Sequence, residues 1–478
     1  MYQNKKKQKM KKSLLGLAIA GAILFTGCKK EEEAPQDTSG TTFVPNITTV
    51  DGKLVETITV TDDGNGTGTV TWTKNKVYEL SGLVFVNQGQ TLTIEAGTII
   101  KGQGGQGSNA SALVVAKGGK IIAEGTASKP IIFTSTADAS TTYTDGTAKY
   151  SKALGTTNGL WGGVIILGKA KLNSTPGTTA VEGIPTSEPR GIYGGSDDAD
   201  NSGILRYVSI RHGGTDIGAG NEINGLTLGG VGTETEIDYV EVFANKDDGI
   251  EFFGGAAQVS HAVVSFCGDD SYDYDEGFRG AGQFWLTVQD SDSDRAGEHD
   301  GGTDPETAAP YSHPIIFNAT YLGNGTSRAI TFRDNAGGEY HNSIFYNFAK
   351  GIDVEQLASG EDSYARYLAG DLAITNNIFA SVTASTLVAT AGSGATLTTE
   401  DATLSAYFSN NGNTTTSTLP IASYSNTANG GLDPTSTNTD GGATEPTNVF
   451  FEDVNYAGAF GSTNWAKSWT ALDTHGYF

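Results

Sequence analysis

The sequence predicts an all-β protein that folds as a right-handed parallel β-helix, a solenoid with roughly 22 residues per coil. DDGIEFFGG at 247–255 returns in altered form as DDSYDYDEG at 269–277, and AITF at 329–332 precedes GIDV at 351–354 by the same interval. Short runs rich in Val, Ile, Phe and Thr recur between Gly, Asn and Asp residues, which is a strand pattern. A fixed period without a helical pattern indicates stacked coils of three strands each, and parallel crossovers are right-handed.

The N-terminal segment up to Cys28 predicts export and a lipid anchor. Six lysines precede an apolar run at residues 14–25, which predicts a secretory signal peptide over residues 1–27. This run is too short to span a bilayer, which takes about 20 residues. The sequence Phe25-Thr26-Gly27-Cys28 resembles a bacterial lipobox, and that resemblance implies cleavage before Cys28 and acylation of its thiol. The alternative is an ordinary signal peptide followed by a chance cysteine.

Residues 28–46 predict a lipidated cysteine followed by a flexible tether. The segment KKEEE at 29–33 resembles the charged export signal of Bacteroidota lipoproteins, which implies the outer face of the outer membrane; a solvated charged tether is the alternative. Residues 34–46 are polar and contain proline, as expected of a linker.

The chain is strongly acidic, with 54 Asp and Glu, 30 Lys and Arg, and a formal net charge of −24. Removing the signal peptide removes six lysines and no acids, so the mature chain carries a formal charge of −30. Such a chain repels nucleic acid, whose affinity for proteins depends on cationic contacts to phosphate, and attracts cations. Acylation of Cys28 would leave Cys267 without a disulfide partner, and its apolar neighbours predict a buried, inert thiol.

The remaining chain divides into a β-helix and two caps. We predict an N-terminal cap at 47–80, a β-helix with loop insertions at 81–447, and a C-terminal cap at 448–478. Residues 136–159, 355–371 and 381–447 interrupt the strand pattern and predict loops. Trp465 and Trp469 are four residues apart, which predicts a short amphipathic segment that covers the open end of the solenoid.

Several stretches together resemble outer-membrane lipoproteins of Bacteroidota and spirochaetes that carry a pectin-lyase-like β-helix. They are TLTIEAGTIIKG (91–102), ALVVAKGGKIIAEGTASKPIIFTS (112–135), LWGGVIILGKAKLN (160–173), DDGIEFFGG (247–255), DDSYDYDEGFRGAGQFW (269–285) and EHDGG (298–302). The resemblance implies the fold and the location. It implies little chemistry, so function has to be inferred from individual sites.

The repeat predicts a column of carboxylates on one side of the solenoid. A spacing of one coil places each aspartate of the second motif over one of the first, about 5 Å away. A three-residue slip then aligns residues 299–302 with 274–277. The predicted metal-ligating members are Asp247, Asp248, Asp269, Asp270, Asp273 and Asp292, the last predicted to lie above Asp270, and Glu251 lies under Asp273.

Like charges on neighbouring strands destabilise a sheet, so this column needs compensation. Calcium, which takes six to eight oxygen ligands, is one candidate. Shared protons at raised pKa values are a second, and turn aspartates that bond their own backbone in solvent are a third. An EF-hand is excluded, because Arg295 and Gly301 occupy the positions that require glycine and glutamate.

The column also allows an enzyme hypothesis. Asp248, Asp270 and Asp273 would be the catalytic carboxylates, and Arg279 would be the base of a lyase, with Arg328 and Arg333 as further candidates. Stacked carboxylates at about 5 Å would also suit a retaining glycosidase.

Other side chains near the column have two interpretations each. His299, beside two acids, is either a turn histidine or a zinc ligand. The nearby aromatic residues would form a sugar-stacking platform if they face outward, although strand alternation places half of them in the core. They are Tyr272, Tyr274, Phe278, Phe284 and Trp285.

These observations together predict a non-catalytic lipoprotein, anchored to the outer membrane through Cys28 and exposed on the cell surface. Its acidic, calcium-binding face would contact a polysaccharide or a surface protein. One alternative is a polysaccharide lyase or glycoside hydrolase acting on an acidic polysaccharide. Another is an accessory subunit of an outer-membrane transporter.

Overall fold

Three faces of parallel strands build the solenoid in the computed structural model of the chain. It describes residues 41–50, 53–144, 147–218, 221–302, 305–384, 386–439, 441–443, 445–446 and 449–478. Each coil runs along face 2, turns a corner onto face 3, and then reaches face 1. Faces 2 and 3 share four long strands and form one sheet, whereas face 1 is a separate sheet. The predicted parallel β-helix is confirmed.

The strand bounds follow by face. Face 1 consists of Leu83–Val86, Ala112–Val115, Val164–Leu167, Leu226–Gly229, Ile250–Phe253, Tyr272–Asp275, Arg295–Asp300, Arg328–Arg333, Lys350–Gln356 and Leu387–Ala391. Face 2 consists of Val70–Trp72, Thr91–Ile94, Lys120–Glu124, Ile315–Phe317, Gly338–His341 and Leu372–Thr375. Face 3 consists of Lys53–Asp62, Lys76–Leu80, Ile99–Gly102, Ile131–Ser135, Thr320–Leu322, Ile344–Tyr346, Ile378–Ala380 and Thr414–Thr416. Faces 2 and 3 share Gly203–Arg211, Glu236–Phe243, Gln258–Ser265 and Ala281–Val288.

The other elements lie outside the coils. Antiparallel hairpins pair Thr41–Val50 with Lys53–Asp62, Thr142–Thr144 with Thr147–Lys149, Thr179–Ala180 with Ile192–Tyr193, Asp216–Gly218 with Asn221–Glu222, and Ile421–Ser423 with Asp433–Ser436. The helices are α1 (Ser363–Ala369), α2 (Glu400–Asn410) and α3 (Ala471–His475), and 3₁₀ turns lie at Gly107–Asn109 and Pro189–Gly191.

The strand register confirms the predicted alignment of the motifs. Glu251 pairs with Asp273, Tyr274 with His299, Ile330 with Ile352, and Ile344 with Ile378. The inward residues of all three faces form one continuous core. Cys267 is buried beside this core, as predicted, and burial raises the pKa of its thiol.

From the strand Gly203–Arg211 onward, seven successive coils each have one left-handed residue at the corner between faces 2 and 3. The corner residues with positive φ are Tyr207 (49°), Tyr239 (53°), His261 (47°), Phe284 (60°), Asn318 (54°), Asn342 (51°) and Asn376 (54°). Asparagine tolerates this conformation, whereas aromatic residues rarely adopt it. Here Tyr207, Tyr239 and His261 stack in order, with ring centroids 4.3 and 4.2 Å apart. Stacking between coils therefore offsets part of the backbone cost.

Of the two interpretations of the aromatic residues, the core interpretation is confirmed and the sugar-stacking platform is wrong. Tyr272, Tyr274, Phe278 and Trp285 lie in the core, and Phe284 is covered by the C-terminal residues. The motif places its aromatic residues at inward strand positions, and its acids alternate with them on the outward side.

The N-terminal boundaries differ from the prediction. The strand Thr41–Val50 takes up residues 41–46 of the predicted tether. The strand Lys53–Asp62 pairs in parallel with Lys76–Leu80, so the coils begin inside the predicted cap. The predicted signal peptide, Cys28 and the predicted tether up to residue 40 lie outside the described residues. None of the described helices is long and apolar enough to cross a membrane.

The C-terminal cap is a different element from the one predicted. Helix α2 follows the last strand of face 1, and its Leu404 and Phe408 enter the core, with Phe408 5.3 Å from Phe379. Residues 449–478, here called the strap, lie along the flank of the solenoid. In the strap Trp469 packs edge-on against Tyr207 and Tyr239. The strap lies on the flank because face 3 presents apolar side chains outward, and the strap covers them.

Candidate functional site

The repeated acids form three rows on and beside the outward side of face 1. Asp247, Asp269 and Asp294 form the outer turn row, and Asp248 and Asp270 form the inner turn row. Glu251, Asp273 and Glu298 form the strand row, aligned by the register of face 1. Together they are called the carboxylate ladder. Three sets bring carboxylate oxygens within 4.8 Å of one another: Asp247, Asp248 and Asp269; Asp248, Glu251 and Asp273; and Asp269, Asp270 and Asp294.

The inner turn row is fixed by main-chain hydrogen bonds between coils. The Asp270 N–H donates to Asp248 Oδ1 over 2.9 Å, and the Arg295 N–H donates to Asp270 Oδ1 over 2.6 Å. Asn245 Nδ2 donates to the Asp248 carbonyl over 2.8 Å and holds the turn closed. These aspartates are buried, at 7% and 2% exposure, so the solvated-turn hypothesis is wrong for them.

Arginines neutralise one end of the ladder. Arg295 Nη1 lies 2.8 Å from both Asp294 Oδ2 and Glu298 Oε1 and 3.4 Å from Asp270 Oδ2. Arg333 reaches Glu298 Oε1 at 3.0 Å and Asp300 Oδ1 at 2.7 Å. Two cations therefore serve the acids of the later coils.

The other end of the ladder has no cationic partner. Within the described part of the chain, no lysine or arginine forms an ion pair with Asp248, Glu251 or Asp273. Asp273 Oδ1 is buried and accepts no hydrogen bond from any residue that the structure describes. Asn224 Nδ2 is the donor that contacts Glu251 Oε2. A buried carboxylate with so few donors is costly unless it is neutralised.

Burial shifts the proton affinity of this end of the ladder. Desolvation, followed by repulsion from neighbouring acids, raises the pKa of Asp248, Glu251 and Asp273 well above the ordinary range. The same two causes raise the pKa of Asp247 to about 7. At neutral pH these groups must hold protons or share a cation, and a site built only of oxygen ligands suits a hard cation such as calcium.

The insertion at residues 168–202 covers the ladder from outside. Tyr193 donates its hydroxyl to Glu276 Oε2 over 2.7 Å, and the Asn173 N–H donates to the Glu276 carbonyl over 2.9 Å. Glu182, in the same insertion, has a raised pKa because of burial. At Gly277, with φ of +80°, a Cβ would lie 3.2 Å from Asn173 Cβ, so the cover packs directly on the turn.

The predicted position of Asp292 above Asp270 is wrong. The register slips by three residues before the strand Arg295–Asp300, so Asp294 lies beside Asp269, and the Asp294 N–H donates to the Asp269 carbonyl over 3.2 Å. Asp292 is exposed in the extra turn that this slip creates, and its N–H donates to Asp290 Oδ1 over 3.1 Å.

The catalytic hypothesis does not assemble. Arg279 donates to Asp198 Oδ1 over 3.0 Å and to the Gly277 carbonyl over 2.6 Å, so the ladder does not receive its guanidinium. Asp248 and Asp270 are too buried to meet a polymer. Arg328 pairs with Asp353, which occupies it in a later coil.

His299 is neither a turn residue nor a zinc ligand. It faces the core from the strand Arg295–Asp300, and its ring stacks on Tyr274 at 4.0 Å. Its Nε2 lies 2.8 Å from the Tyr340 hydroxyl, and burial lowers its pKa to about 3.

Sequence reasoning missed Asp294, Arg295, Glu298 and the covering Glu182. The three-residue slip could have identified Asp294, Arg295 and Glu298. The alignment that pairs Tyr274 with His299 also pairs Asp273 with Glu298. No repeat marks Glu182, since it lies in an insertion between coils.

The fold and the ladder define a parallel β-helix protein with an acidic outward face. Residues 64–470 match the family model described as the pectate-lyase-like beta helix domain, and the chain belongs to this family. Neither the comparison with curated proteins nor that with solved structures returned a match. Membership supports the predicted pectin-lyase-like fold and is consistent with a role related to carbohydrate.

Proposed function

We propose that this chain is an outer-membrane lipoprotein, anchored through Cys28 and exposed on the cell surface, whose β-helix binds a polysaccharide or a surface protein without catalysis. In this proposal calcium occupies the uncompensated end of the carboxylate ladder and fixes the acidic face.

The observation that carries the cation site is the buried set of Asp248, Glu251 and Asp273. Their carboxylate oxygens come within 4.8 Å of one another, and Asp273 Oδ1 has no donor within the described ranges of the chain. Arg295 and Arg333 neutralise acids at the other end of the ladder. Among the described residues, the acids without a basic partner are thus the ones whose oxygens could coordinate a cation. The anchor is supported by the lipobox-like residues 25–28 alone.

Thermal unfolding of the full-length chain in detergent tests the cation site. Melting temperatures are compared in calcium and in chelator at pH 7.5. A ligand that binds only the folded chain raises stability by about 2.7 kcal/mol when its concentration is 100 times its Kd. We expect a rise of several degrees in calcium, abolished by Asp273→Asn.

Asp292→Asn is the matched control. This exposed aspartate lies next to the ladder but outside it, so the calcium-dependent rise should persist in the variant. A wild-type melting temperature that is the same in calcium and in chelator would refute the cation site. The Asp273 carboxyl would then carry a proton.

A further inference from the structure

Two histidines share one glutamate on the outward side of face 2. His313 Nε2 lies 2.8 Å from Glu339 Oε1, and His341 Nε2 lies 2.8 Å from Glu339 Oε2. Each imidazole therefore contacts a different oxygen of the same carboxyl group. These three residues are here called the histidine cluster. The cluster is separate from the carboxylate ladder, whose strand row belongs to the sheet of face 1.

The stacking of coils brings the three side chains together. Glu339 and His341 lie on either side of a core residue in the strand Gly338–His341, so both side chains point outward. Glu339 pairs with Ile315 in the preceding coil, and His313 comes two residues before Ile315. Two successive coils therefore supply the cluster, and the strand register determines which side chains meet.

The other ring nitrogen of each histidine faces an oxygen atom. His341 Nδ1 lies 2.5 Å from Thr375 Oγ1, and His313 Nδ1 lies 3.9 Å from Asp371 Oδ1. In protein metal sites a ligating histidine usually holds its other ring nitrogen to a hydrogen-bond acceptor, which orients the ring. The cluster has this layout, with both Nε2 atoms directed to Glu339.

His313 lies between two carboxyl groups, which a neutral imidazole cannot satisfy at once. A neutral ring carries one N–H donor and one lone pair. Its Nε2 faces Glu339 and its Nδ1 faces Asp371, so in either tautomer a lone pair lies opposite a carboxylate. A second proton on the ring or a metal ion at Nε2 removes this repulsion. A metal ion also neutralises Glu339, so it compensates both groups together.

The cluster is accessible to an ion from solvent. The side chains of His313 and Glu339 are 31% and 23% exposed, and that of His341 is 10% exposed. His313 lies in an irregular segment before the strand Ile315–Phe317, whereas His341 packs against Phe317 with ring centroids 4.5 Å apart. One ion bound by both imidazoles requires the rings to approach each other, and His313 is the less constrained of the two.

We propose that the histidine cluster binds zinc through His313 Nε2, His341 Nε2 and the Glu339 carboxylate. Zinc takes four ligands, commonly imidazole nitrogens and carboxylate oxygens, and a water molecule would complete this set. Calcium takes oxygen ligands instead, so the cluster and the ladder should differ in the metal that they select. The net charge of −24 favours cations at either site. Zinc would join two coils, and this site does not depend on a polysaccharide or protein partner.

Titration calorimetry tests zinc binding to the full-length chain, produced without a histidine tag and held in detergent at pH 7.5. Saturating calcium is present throughout, so that the carboxylate ladder is supplied with its own cation. We expect one zinc site per chain. His313→Ala should weaken zinc binding by at least about tenfold, since losing only an outer partner of a metal ligand already costs about 10–100-fold in affinity.

Glu361→Gln is the matched control. Arg366 bridges Glu361 and Asp371, so this acid lies near the cluster without belonging to it, and its side chain is 42% exposed. The variant should bind zinc within about twofold of wild type. Circular dichroism checks that both variants fold.

Copper(II) in place of zinc identifies the ligands by electron paramagnetic resonance, and this measurement needs only the wild-type chain. Two imidazole nitrogens should split the copper signal, because copper also prefers imidazole ligands. In His313→Ala the splitting of one nitrogen should remain. The carboxylate ladder offers oxygen atoms, so copper bound there gives no nitrogen splitting.

Absence of zinc binding would overturn the proposal, and His313 would then carry a second proton between the two carboxylates. Equal affinities of wild type and His313→Ala, or a copper signal without nitrogen splitting, would also overturn it and would assign the metal to surface acids. Each of these results would leave the calcium-dependent melting shift unaffected, because that shift depends on a different set of residues.

Discussion

Asp248, Glu251 and Asp273 bring three carboxyl groups together with no basic partner among the described residues. Parallel register makes this unavoidable, because it stacks residues of the same type directly over one another. The later coils solve the same problem with Arg295 and Arg333. At the residue scale, the two ends of the ladder therefore differ. Arginines neutralise the acids of the later coils, whereas the acids of the earlier coils depend on protons or an external cation.

The pH dependence of stability follows from the raised pKa values. Burial raises the pKa of Asp247, Glu276 and Asp300 to about 7. A carboxyl whose pKa is higher in the folded chain than in the unfolded chain stabilises the fold fully below about pH 4, and this stability is lost as the pH rises through 7. In chelator, we expect a lower melting temperature at pH 8 than at pH 5.5, measured by calorimetry.

Saturating calcium should reduce that difference. Glu339 acts in the opposite direction, because hydrogen bonds from His313 and His341 lower its pKa to about 2, although burial opposes the shift. The carboxyl of Glu339 itself takes up its proton only below about pH 4.5, outside the range between pH 5.5 and 8. A melting temperature in chelator that is higher at pH 8 would contradict the prediction.

Arg295 tests the compensated end of the ladder. Arg295→Ala would leave the buried Asp270 without its cation, and removing one partner of a buried pair costs about 3–5 kcal/mol. Chemical denaturation should show this loss in the free energy of unfolding. Arg206→Ala is the control, since Arg206 pairs with the exposed Glu124, and surface pairs contribute at most about 1 kcal/mol.

The strap is the element that joins distant coils. Its Ala471 and Leu472 N–H groups donate to Glu241, which is fully buried, over 2.7 and 3.3 Å. Ser209 donates its hydroxyl to the same carboxylate over 2.5 Å, and Arg211 Nε donates to Ser209 Oγ over 2.7 Å. The strap is therefore fixed by a polar contact as well as by apolar packing.

Trp469→Ala should lower the free energy of unfolding by about 3–5 kcal/mol, the usual cost of truncating a buried tryptophan, since its side chain is 1% exposed. Dye binding should rise as the outward side of face 3 becomes accessible. Lys467→Ala, two residues earlier and exposed, should change neither quantity. Equal stabilities of the two variants would show that the strap contributes little to the fold.

The repeat made the strand pairings of the coils predictable, whereas the segments that interrupt the repeat could not be predicted. The pairings of Glu251 with Asp273, Tyr274 with His299 and Ile344 with Ile378 follow from motif alignment alone, because each strand must stack on its predecessor. Helix α2 was missed because only Leu404 and Phe408 in it are buried, which leaves almost no periodic signal. The strap was predicted to cover the open C-terminal end of the solenoid. Its two tryptophans indicate that it packs on the protein, but they do not indicate on which surface.

The candidate site was predictable to the same extent. The repeat predicts five members of the ladder: Asp247, Asp248, Asp269, Asp270 and Asp273. The predicted position of Asp292 is wrong because the sequence does not show where the three extra residues form a turn. The cover provided by residues 168–202 has no counterpart in other coils, so sequence periodicity carries no information about it.

At the scale of the whole molecule, the acids that lack a basic partner among the described residues lie in the middle coils. Earlier in the chain, Arg190 pairs with Asp62 and Glu188, and Lys169 Nζ lies 3.8 Å from Asp200 Oδ1. A cation on the ladder should therefore stabilise the middle coils and leave the first coils unaffected.

Anchoring is a property of the whole chain and has its own test. Cys28→Ser should abolish incorporation of labelled fatty acid and release the chain from the membrane fraction. In the proposal the acylated Cys28 is the anchor that remains once the hydrophobic leader has been cleaved. Wild-type chain should remain with the membrane, where several acyl chains give stable attachment. Labelling of the variant at the wild-type level would contradict acylation at Cys28.

The contact between the strap and Glu241 also determines how the molecule responds to mechanical load. Hydrogen bonds between coils run along the solenoid axis, so a force applied at an end would open coils one after another. Ala471 binds Glu241, which lies far earlier in the chain, in a middle coil. A pull on the C-terminus therefore loads the middle of the solenoid first, and the last coils are sheltered until the strap has peeled away.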